Sequence, residues 1–184
     1  MDLKKDIEKI LISEEELLSL VSRLAAEIDR DYTGKKLLLV GILKGSVVFM
    51  GDLMKHLKTP LQIDFMKVSS YGAGTRSSGY VKIALDLMRD DLESTDILIV
   101  EDIIDSGKTL SALTKMLDAR GARSVRTCTL LDKPSRREVP FTPDYIGAEI
   151  PDEFVVGYGL DYNEDYRTLP FVGVLKEEIY QKKS

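Results

Sequence analysis

Two adjacent acids and a small polar turn lie close together in the segment VEDIIDSGKTL, residues 100–110. Glu101 and Asp102 offer carboxylates that accept hydrogen bonds from sugar hydroxyls or hold a hard cation such as Mg²⁺. Residues 105–109 combine a glycine with two hydroxyl side chains at the start of a helical pattern. The backbone N–H groups of such a turn bind anions, and the helix dipole adds about 0.3–1 kcal/mol. The predicted chemistry is the binding of a sugar that carries a phosphomonoester.

Two other phosphate-binding loops are excluded by their spacing. A Walker A loop requires a glycine at the position that Asp102 occupies here. A dinucleotide-binding fingerprint that begins at Gly72 requires a glycine where Ser77 stands. An ordinary helix cap also explains too little, because a cap needs neither the two preceding carboxylates nor Asp105. The segment therefore predicts a sugar-phosphate site of another kind.

Apolar strands that alternate with amphipathic helices must position these residues. The alternation predicts an α/β fold with a mostly parallel central sheet flanked by helices, in a single domain spanning 1–184. Strands are predicted at 37–43, 61–68, 80–86, 96–102, 125–131, 153–159 and 171–175, and helices at 13–32, 47–57 and 110–122. In such a sheet ligands bind at the carboxyl ends of the strands. Chemistry is therefore expected in the polar segments 44–46, 101–109 and 132–137.

Composition and charge limit the classes of partner. The chain has 184 residues, of which 43% are hydrophobic and 31% are charged, with a net charge of −5. No dense basic run is present, so no nucleic-acid partner is expected. No apolar run approaches the roughly 20 residues that span a bilayer, so no membrane partner is expected. The single cysteine, Cys128, excludes an internal disulfide, and no signal peptide is visible, which predicts a cytoplasmic location.

Two acids, two aliphatic residues and then Asp-Ser-Gly-Lys-Thr resemble the phosphoribosyl pyrophosphate (PRPP) signature of the type I phosphoribosyltransferases. Within that family the chain resembles the hypoxanthine/guanine branch, from about Leu37 to Leu175. The resemblance implies the family's fold with a small base-recognition hood, and Mg²⁺ as cofactor. It assigns PRPP binding to Lys44, Gly45, Glu101, Asp102, Asp105, Ser106, Gly107, Lys108, Thr109 and Arg167.

The resemblance also implies catalytic and gating roles. Asp105 is expected to take the proton from the five-membered-ring nitrogen of the purine. Residues 43–45 match the family's pyrophosphate loop, in which a non-proline cis peptide is common. Ser70 and Tyr71, within the glycine- and serine-rich segment 69–79, resemble the lid that closes over the site and excludes water.

Base recognition is expected from two further segments. Lys133 matches the lysine that donates to the exocyclic oxygen of a 6-oxopurine, and its donor-only chemistry disfavours adenine. Phe154 is expected to stack on the purine, Val155 to offer backbone groups, and Asp161 to lie beside the base and reach a second Mg²⁺. The expected metal ligands are Glu101, Asp102 and Asp161.

The expected function is transfer of the 5-phosphoribosyl group from PRPP to hypoxanthine, with guanine also used, giving IMP or GMP and pyrophosphate in purine salvage. A homo-oligomer, dimer or tetramer, is expected. One alternative is a PRPP-sensing regulator of the same fold that binds nucleic acid. The 36 residues before the first predicted strand are too few for a winged-helix domain, and the charge is acidic. Another alternative is an enzyme that prefers xanthine, which the sequence does not rank against hypoxanthine and guanine.

Overall fold

The computed structural model describes residues 3–70 and 81–181. The strands are β1 (Ile7–Ile12), β2 (Leu37–Ile42), β3 (Leu61–Ser70), β4 (Val81–Leu85), β5 (Asp96–Ile104), β6 (Ser124–Asp132), β7 (Tyr145–Glu149), β8 (Val155–Val156) and β9 (Val172–Leu175). The helices are α1 (Glu14–Tyr32), α2 (Val47–His56), α3 (Lys108–Ala119) and α4 (Glu177–Tyr180), and short 3₁₀ turns cover Leu3–Asp6, Leu92–Ser94 and Pro134–Arg136.

A central sheet runs in the order β4-β3-β2-β5-β6-β7 through the described ranges. Strand β2 lies parallel to β3 and β5, and the parallel pairing continues from β5 to β6 and from β6 to β7. The edge strand β4 pairs with β3 in the antiparallel direction. The predicted mostly parallel sheet is confirmed. Because the strands are parallel, the carboxyl ends of β2, β5 and β6 meet at the same edge, where the polar segments of the sequence follow them.

Helices cover both faces of the sheet, because successive side chains of a strand point to opposite faces. On one face Leu39 of β2 packs in a buried cluster with Leu17 of α1 and Phe49 of α2. On the other face Leu38 of β2 packs in a second cluster with Leu113 of α3. Each such side chain contributes about 1.5–3 kcal/mol when it is buried.

A smaller antiparallel sheet, in the order β1-β9-β8, forms the hood together with residues 157–171, which connect β8 to β9. Strand β1 pairs with β9, with Ile10 opposite Gly173. The sequence pattern predicts no strand before Leu37, and that prediction was wrong. The alternation in β1 is obscured by Glu8 and Lys9, which are both exposed, so the pairing with β9 creates a strand that the local pattern does not indicate.

Two further expectations differ from the structure. The strand predicted at 153–159 is limited to β8, because the chain turns through Gly157, Tyr158 and Gly159, whose φ angles are 96°, 49° and 100°. The short strand β7 was not predicted, since five residues carry too weak a pattern.

Within residues 3–70 and 81–181, no helix is long and apolar enough to span a membrane.

Candidate active site

A cleft of about 340 Å³ opens at the carboxyl ends of β2 and β5. Its walls are formed by the ends of three strands and by the turn that leads from β5 into α3. The lining residues are Ile42, Leu43, Val68, Thr109, Leu110 and the run 101–107. The cleft is therefore lined by the segment 100–110 that is predicted to bind a sugar phosphate, except for Val100 and Lys108.

The turn before α3 has the geometry of a phosphate cradle. Gly107 has a φ of 79°, a left-handed conformation that glycine adopts without strain. Helix α3 begins at the next residue, so its first backbone N–H groups have no partner within the helix. The Lys108 N–H lies 3.4 Å from the Ser106 Oγ, and the Lys108 ammonium pairs with Glu138. Thr109 lines the cleft one residue further on.

Glu101 and Asp102 are consecutive residues near the end of β5, Glu101 half-buried and Asp102 buried. Asp102 is 8% exposed and accepts a hydrogen bond from the Ile103 N–H at 2.8 Å. Burial raises the pKa of Glu101 well above its usual value, and the neighbouring charge of Asp102 raises it further. Burial also raises the pKa of Asp102, against the opposing effect of its hydrogen bonds. The raised pKa values reflect the cost of placing two neighbouring carboxylates where water does not fully solvate them.

The loop after β2 packs directly on this pair. The peptide bond between Leu43 and Lys44 is cis, as the resemblance suggested. A Cβ built on Gly45 would lie 1.6 Å from the Asp102 Oδ2, so any other residue at this position would have to displace the Asp102 carboxylate. The Ser46 hydroxyl donates to the Ile42 carbonyl at 2.6 Å, which ties the loop back to its own strand. The loop and the acids therefore form one packed unit.

Two cations from distant parts of the chain meet beside this loop. The Lys44 Nζ lies 2.9 Å from the Glu164 Oε2, and the Arg167 Nη2 lies 3.2 Å from the same oxygen. Arg167 also pairs with the Asp161 Oδ1 at 2.9 Å and donates to the Gly159 carbonyl at 2.8 Å. The predicted pyrophosphate-binding residues Lys44 and Arg167 are thus brought together by the fold.

Asp105 is the first residue after β5, and it lines the cleft. A hydrogen bond from a neighbouring arginine holds its backbone. The Arg137 Nη1 donates to the Asp105 carbonyl at 2.6 Å, and Arg137 also pairs with the buried Asp132. The carboxylate of Asp105 is 49% exposed, and its Oδ1 lies 4.0 Å from the Lys133 Nζ. A carboxylate that is positioned and open to a ligand suits a general base.

The expected base-binding residues lie at the junction of β6 and the hood. Lys133 is 8% exposed, and its Nζ donates to the Glu153 carbonyl at 2.7 Å. Phe154, the residue after Glu153, is 38% exposed, and the Tyr180 ring stacks on it with a centroid separation of 4.7 Å. Val155 is buried and pairs with β9. The hydrogen bond to Glu153 therefore places Lys133 next to the chain segment that contains Phe154 and Val155.

The expected lid lies almost wholly outside the described residues. Ser70 ends β3, where its backbone pairs with Val81. Tyr71 and residues 72–79 lie beyond the described part of the chain.

The model of the family described as "Phosphoribosyl transferase domain" matches residues 10–163. The chain belongs to the phosphoribosyltransferase family. That match runs from Ile10, within β1, to beyond β8, and it includes the acids, the cradle and the loop after β2.

Similar members of the phosphoribosyltransferase family extend over nearly the whole chain. A hypoxanthine-guanine phosphoribosyltransferase of Streptococcus mutans is 53% identical over 98% of this chain and 99% of its own length. A protein of the same name from Bacillus subtilis is 54% identical over 97% of this chain and 99% of its own length. The crystal structure of a hypoxanthine phosphoribosyltransferase from Staphylococcus aureus superposes with a TM-score of 0.94, at 48% identity, over 99% of this chain and 98% of its own.

A divalent cation fits the donor set of this phosphoribosyltransferase site. Among residues 3–70 and 81–181, no group of three or more His, Cys, Asp or Glu side chains is arranged to hold a metal ion. Mg²⁺, however, is commonly held by one or two carboxylates together with substrate phosphates. Glu101 and Asp102 supply two adjacent carboxylates whose pKa values burial has raised, so a cation delivered with a phosphate substrate would relieve an existing penalty.

Two residues of the site were not assigned from the sequence. Arg137 holds the Asp105 backbone, and Glu164 joins Lys44 to Arg167. Arg137 lies in a polar segment that follows a strand, which is a usable signal. Glu164 is one of many exposed acids, so its role depends on a contact that the local pattern does not indicate.

Proposed function

We propose that this chain transfers the 5-phosphoribosyl group from PRPP to a 6-oxopurine, hypoxanthine and also guanine, giving IMP or GMP and pyrophosphate in purine salvage. The observation that carries the proposal is the joining of three elements at one edge of the sheet. These are the phosphate cradle before α3, the adjacent acids Glu101 and Asp102, and Lys133 at 4.0 Å from Asp105. The names of the relatives agree with this substrate class.

PRPP would bind across the carboxyl edge of the sheet. Its 5-phosphate fits the turn 105–109, where backbone N–H groups and hydroxyls are available. Its ribose hydroxyls fit beside Glu101 and Asp102, because carboxylates accept hydrogen bonds from hydroxyl groups. Its pyrophosphate fits the cationic group formed by Lys44 and Arg167, with the N–H groups of the loop after β2.

Mg²⁺, held by Glu101 and Asp102 and in a second position near Asp161, would supply neutralising charge for the pyrophosphate. The remaining stabilisation of the leaving group comes from side chains of the protein. Lys44 and Arg167 stabilise the charge that develops on the leaving group, which is usually a large part of the catalysis in such sites. Exclusion of water protects the electron-poor sugar from hydrolysis.

Asp105 would act on the purine. The bond between the sugar and pyrophosphate breaks, a bond forms to the nitrogen of the five-membered ring, and the Asp105 carboxylate takes the proton from the base. General-base catalysis of this kind contributes about 10²–10⁴-fold. The hydrogen bond from Arg137 to the Asp105 carbonyl keeps the carboxylate at the required position.

The purine would lie between Lys133 and Phe154. The Lys133 ammonium donates to the exocyclic oxygen, and Phe154 stacks on the ring. The Glu153 carbonyl already holds the ammonium, so the lysine is oriented before the base arrives. A base with an amino group in place of the oxygen leaves the Lys133 N–H groups without an acceptor, which disfavours adenine.

The proposal is tested by incubating the purified protein with PRPP and Mg²⁺ and each of hypoxanthine, guanine, xanthine and adenine. Formation of the nucleoside monophosphate with an equal amount of pyrophosphate from hypoxanthine and guanine is expected. Higher kcat/KM with xanthine favours the xanthine alternative. PRPP binding without turnover of any base contradicts the enzyme and favours a PRPP-sensing regulator.

We further propose that the chain acts in the cytoplasm as a homo-oligomer, a dimer or a tetramer. The neighbouring helices α1 and α2 expose Leu18, Val47 and Met54, which are 45%, 47% and 40% exposed. Light scattering coupled to size-exclusion chromatography measures the mass directly, and a mass of one chain contradicts this proposal.

A further inference from the structure

One carboxylate oxygen of Glu164 accepts hydrogen bonds from both cationic side chains of the proposed pyrophosphate site, Lys44 and Arg167. The Glu164 Oε2 lies 2.9 Å from the Lys44 Nζ and 3.2 Å from the Arg167 Nη2. Lys44 belongs to the loop after β2, which is 120 residues away from Glu164 along the chain. Arg167 lies in the hood, three residues after Glu164. An anion is therefore already present between the two groups that are expected to hold the leaving anion.

The backbone of this segment presents Glu164 to the cations. Asn163 and Glu164 have φ angles of 51° and 68°, a left-handed conformation that few residues other than glycine adopt. The Glu164 N–H donates to the Asp161 Oδ2 at 3.0 Å, which closes the turn. The Glu164 side chain is 65% exposed, so displacing it toward solvent requires no opening of the core.

We propose that the Glu164 carboxylate is a built-in substitute for pyrophosphate, which holds Lys44 and Arg167 in place and competes with pyrophosphate for them. This inference rests on the proposed function, in which pyrophosphate is the leaving group. Its consequence is weaker binding of pyrophosphate and faster release of that product. Glu164 is thus a positioning residue that acts through the two cations.

The solvent exposure of the two ion pairs of Glu164 sets how strongly this carboxylate competes with pyrophosphate. The Lys44 side chain is 51% exposed and that of Arg167 is 24% exposed, so each pair with Glu164 is worth little in water. Both pairs must be given up when pyrophosphate takes the cations. Removal of the Glu164 charge is expected to tighten pyrophosphate binding by about threefold to tenfold.

The decisive variant is Glu164→Gln, which keeps the size of the side chain and removes its charge. The matched control is Asp165→Asn, which makes the same change of net charge at the next residue. Asp165 is exposed and is paired with neither Lys44 nor Arg167, which both lie in the described part of the chain. A general change in electrostatic field affects both variants, whereas loss of the competing contact affects Glu164→Gln alone.

The experiment titrates magnesium pyrophosphate into the wild type and both variants by calorimetry, and measures inhibition of turnover by pyrophosphate. Tighter binding and stronger product inhibition in Glu164→Gln, with Asp165→Asn like the wild type, are expected. The KM for hypoxanthine should stay constant, since Lys133 and Phe154 are unchanged. A merely structural role for Glu164 would not tighten binding.

The possible failures are distinguishable. If the wild type binds pyrophosphate and Glu164→Gln binds it equally or more weakly, the inference is wrong while the proposed function stands. An equal gain in both variants also overturns it, because the effect then comes from net charge. If the wild type forms no monophosphate from PRPP and any purine, the proposed function itself is wrong.

Discussion

Gly159 of the hood packs against the carbonyl oxygen of Gly45. A Cβ built on Gly159 would lie 2.1 Å from that oxygen, and a Cβ on Gly45 would lie 1.6 Å from the Asp102 Oδ2. The hood, the loop after β2 and the buried acid are therefore stacked in contact, with two glycines at the points of closest approach. This contact positions the loop that carries Lys44 against Asp102.

Substitution of Gly159 by alanine should displace the loop after β2. The new Cβ clashes with backbone, and the φ of 100° at this position disfavours a side chain. We expect kcat/KM to fall about 10²-fold, since a misplacement of about 1 Å in a catalytic group has that effect. Steady-state kinetics with varied PRPP measures the loss.

The matched control is Gly51→Ala in α2. A Cβ at Gly51 meets nothing within 4 Å, so the same change should leave kcat/KM intact and stabilise the helix by about 0.5–1 kcal/mol. If Gly159→Ala has the kcat/KM of the wild type, the close approach of Gly159 to the Gly45 carbonyl is not needed for activity.

Asp105→Asn should abolish most turnover while PRPP still binds. The amide keeps the shape of the carboxylate but accepts no proton, so kcat should fall by about 10²–10⁴-fold. The hydrogen bond from Arg137 goes to the Asp105 backbone and is unaffected. Rapid-quench kinetics gives the chemical step, and calorimetry gives the PRPP affinity. Unchanged turnover would disprove the assignment of Asp105 as base.

Lys133→Ala should weaken binding of the base much more than binding of PRPP. Loss of a charge-assisted hydrogen bond costs about 1.5–3 kcal/mol, which corresponds to a rise of roughly tenfold to a hundredfold in the KM for hypoxanthine. The Glu153 carbonyl also loses its donor, so a small loss of stability is expected. Equal losses in both substrates would indicate misfolding, which thermal unfolding detects.

Tyr180→Ala should raise the KM for the base through Phe154. The two rings are stacked with an interplanar angle of 19°, and Tyr180 also packs with the hood cluster around Phe171. An aromatic pair is worth about 0.5–1.5 kcal/mol, so the KM for hypoxanthine should rise about twofold to tenfold. Tyr180→Phe keeps the ring and should behave as the wild type. A lower KM in Tyr180→Ala would mean that the Tyr180 ring competes with the base.

Asp96 should contribute to stability at neutral pH and not in acid. Burial alone would raise its pKa, but the hydrogen bonds from Arg123 and Ser124 hold the pKa below its usual value. A lowered pKa in the folded state means that the stabilisation is complete above the unfolded pKa of about 3.9 and is lost as the pH falls through the folded pKa.

Asp96→Asn should therefore lower the free energy of unfolding by about 1–3 kcal/mol at pH 7, with a smaller difference below about pH 4. Urea unfolding at both pH values measures it. Asp118→Asn, at an exposed position in α3, is the control and should show no such convergence. A constant difference between Asp96→Asn and the wild type across this range would show that ionisation of Asp96 is not the cause.

The mostly parallel sheet and the turn before α3 were predictable because both depend on short-range patterns, whereas the chemistry assigned to residues 100–110 stays a prediction. Buried strands, amphipathic helices and the turn 105–109 are each specified by residues within one or two turns of one another. The segment alone indicates only a PRPP site, and Lys133 with Phe154–Asp161 is needed for the purine interpretation. The roles assigned to those residues stay predictions until the variants are measured.

Tertiary structure alone decided the contacts that join distant segments. Pairing with β9 makes a strand of β1, and the close packing of Gly159 on Gly45 accompanies a turn where local pattern predicted a strand. The meeting of Lys44 and Arg167 at Glu164 spans 120 residues. Local sequence does not specify such contacts, because they depend on strand register and on the path of the whole chain. The same sequence that indicates a sugar-phosphate site at 100–110 therefore leaves open which exposed acid contacts Lys44 and Arg167.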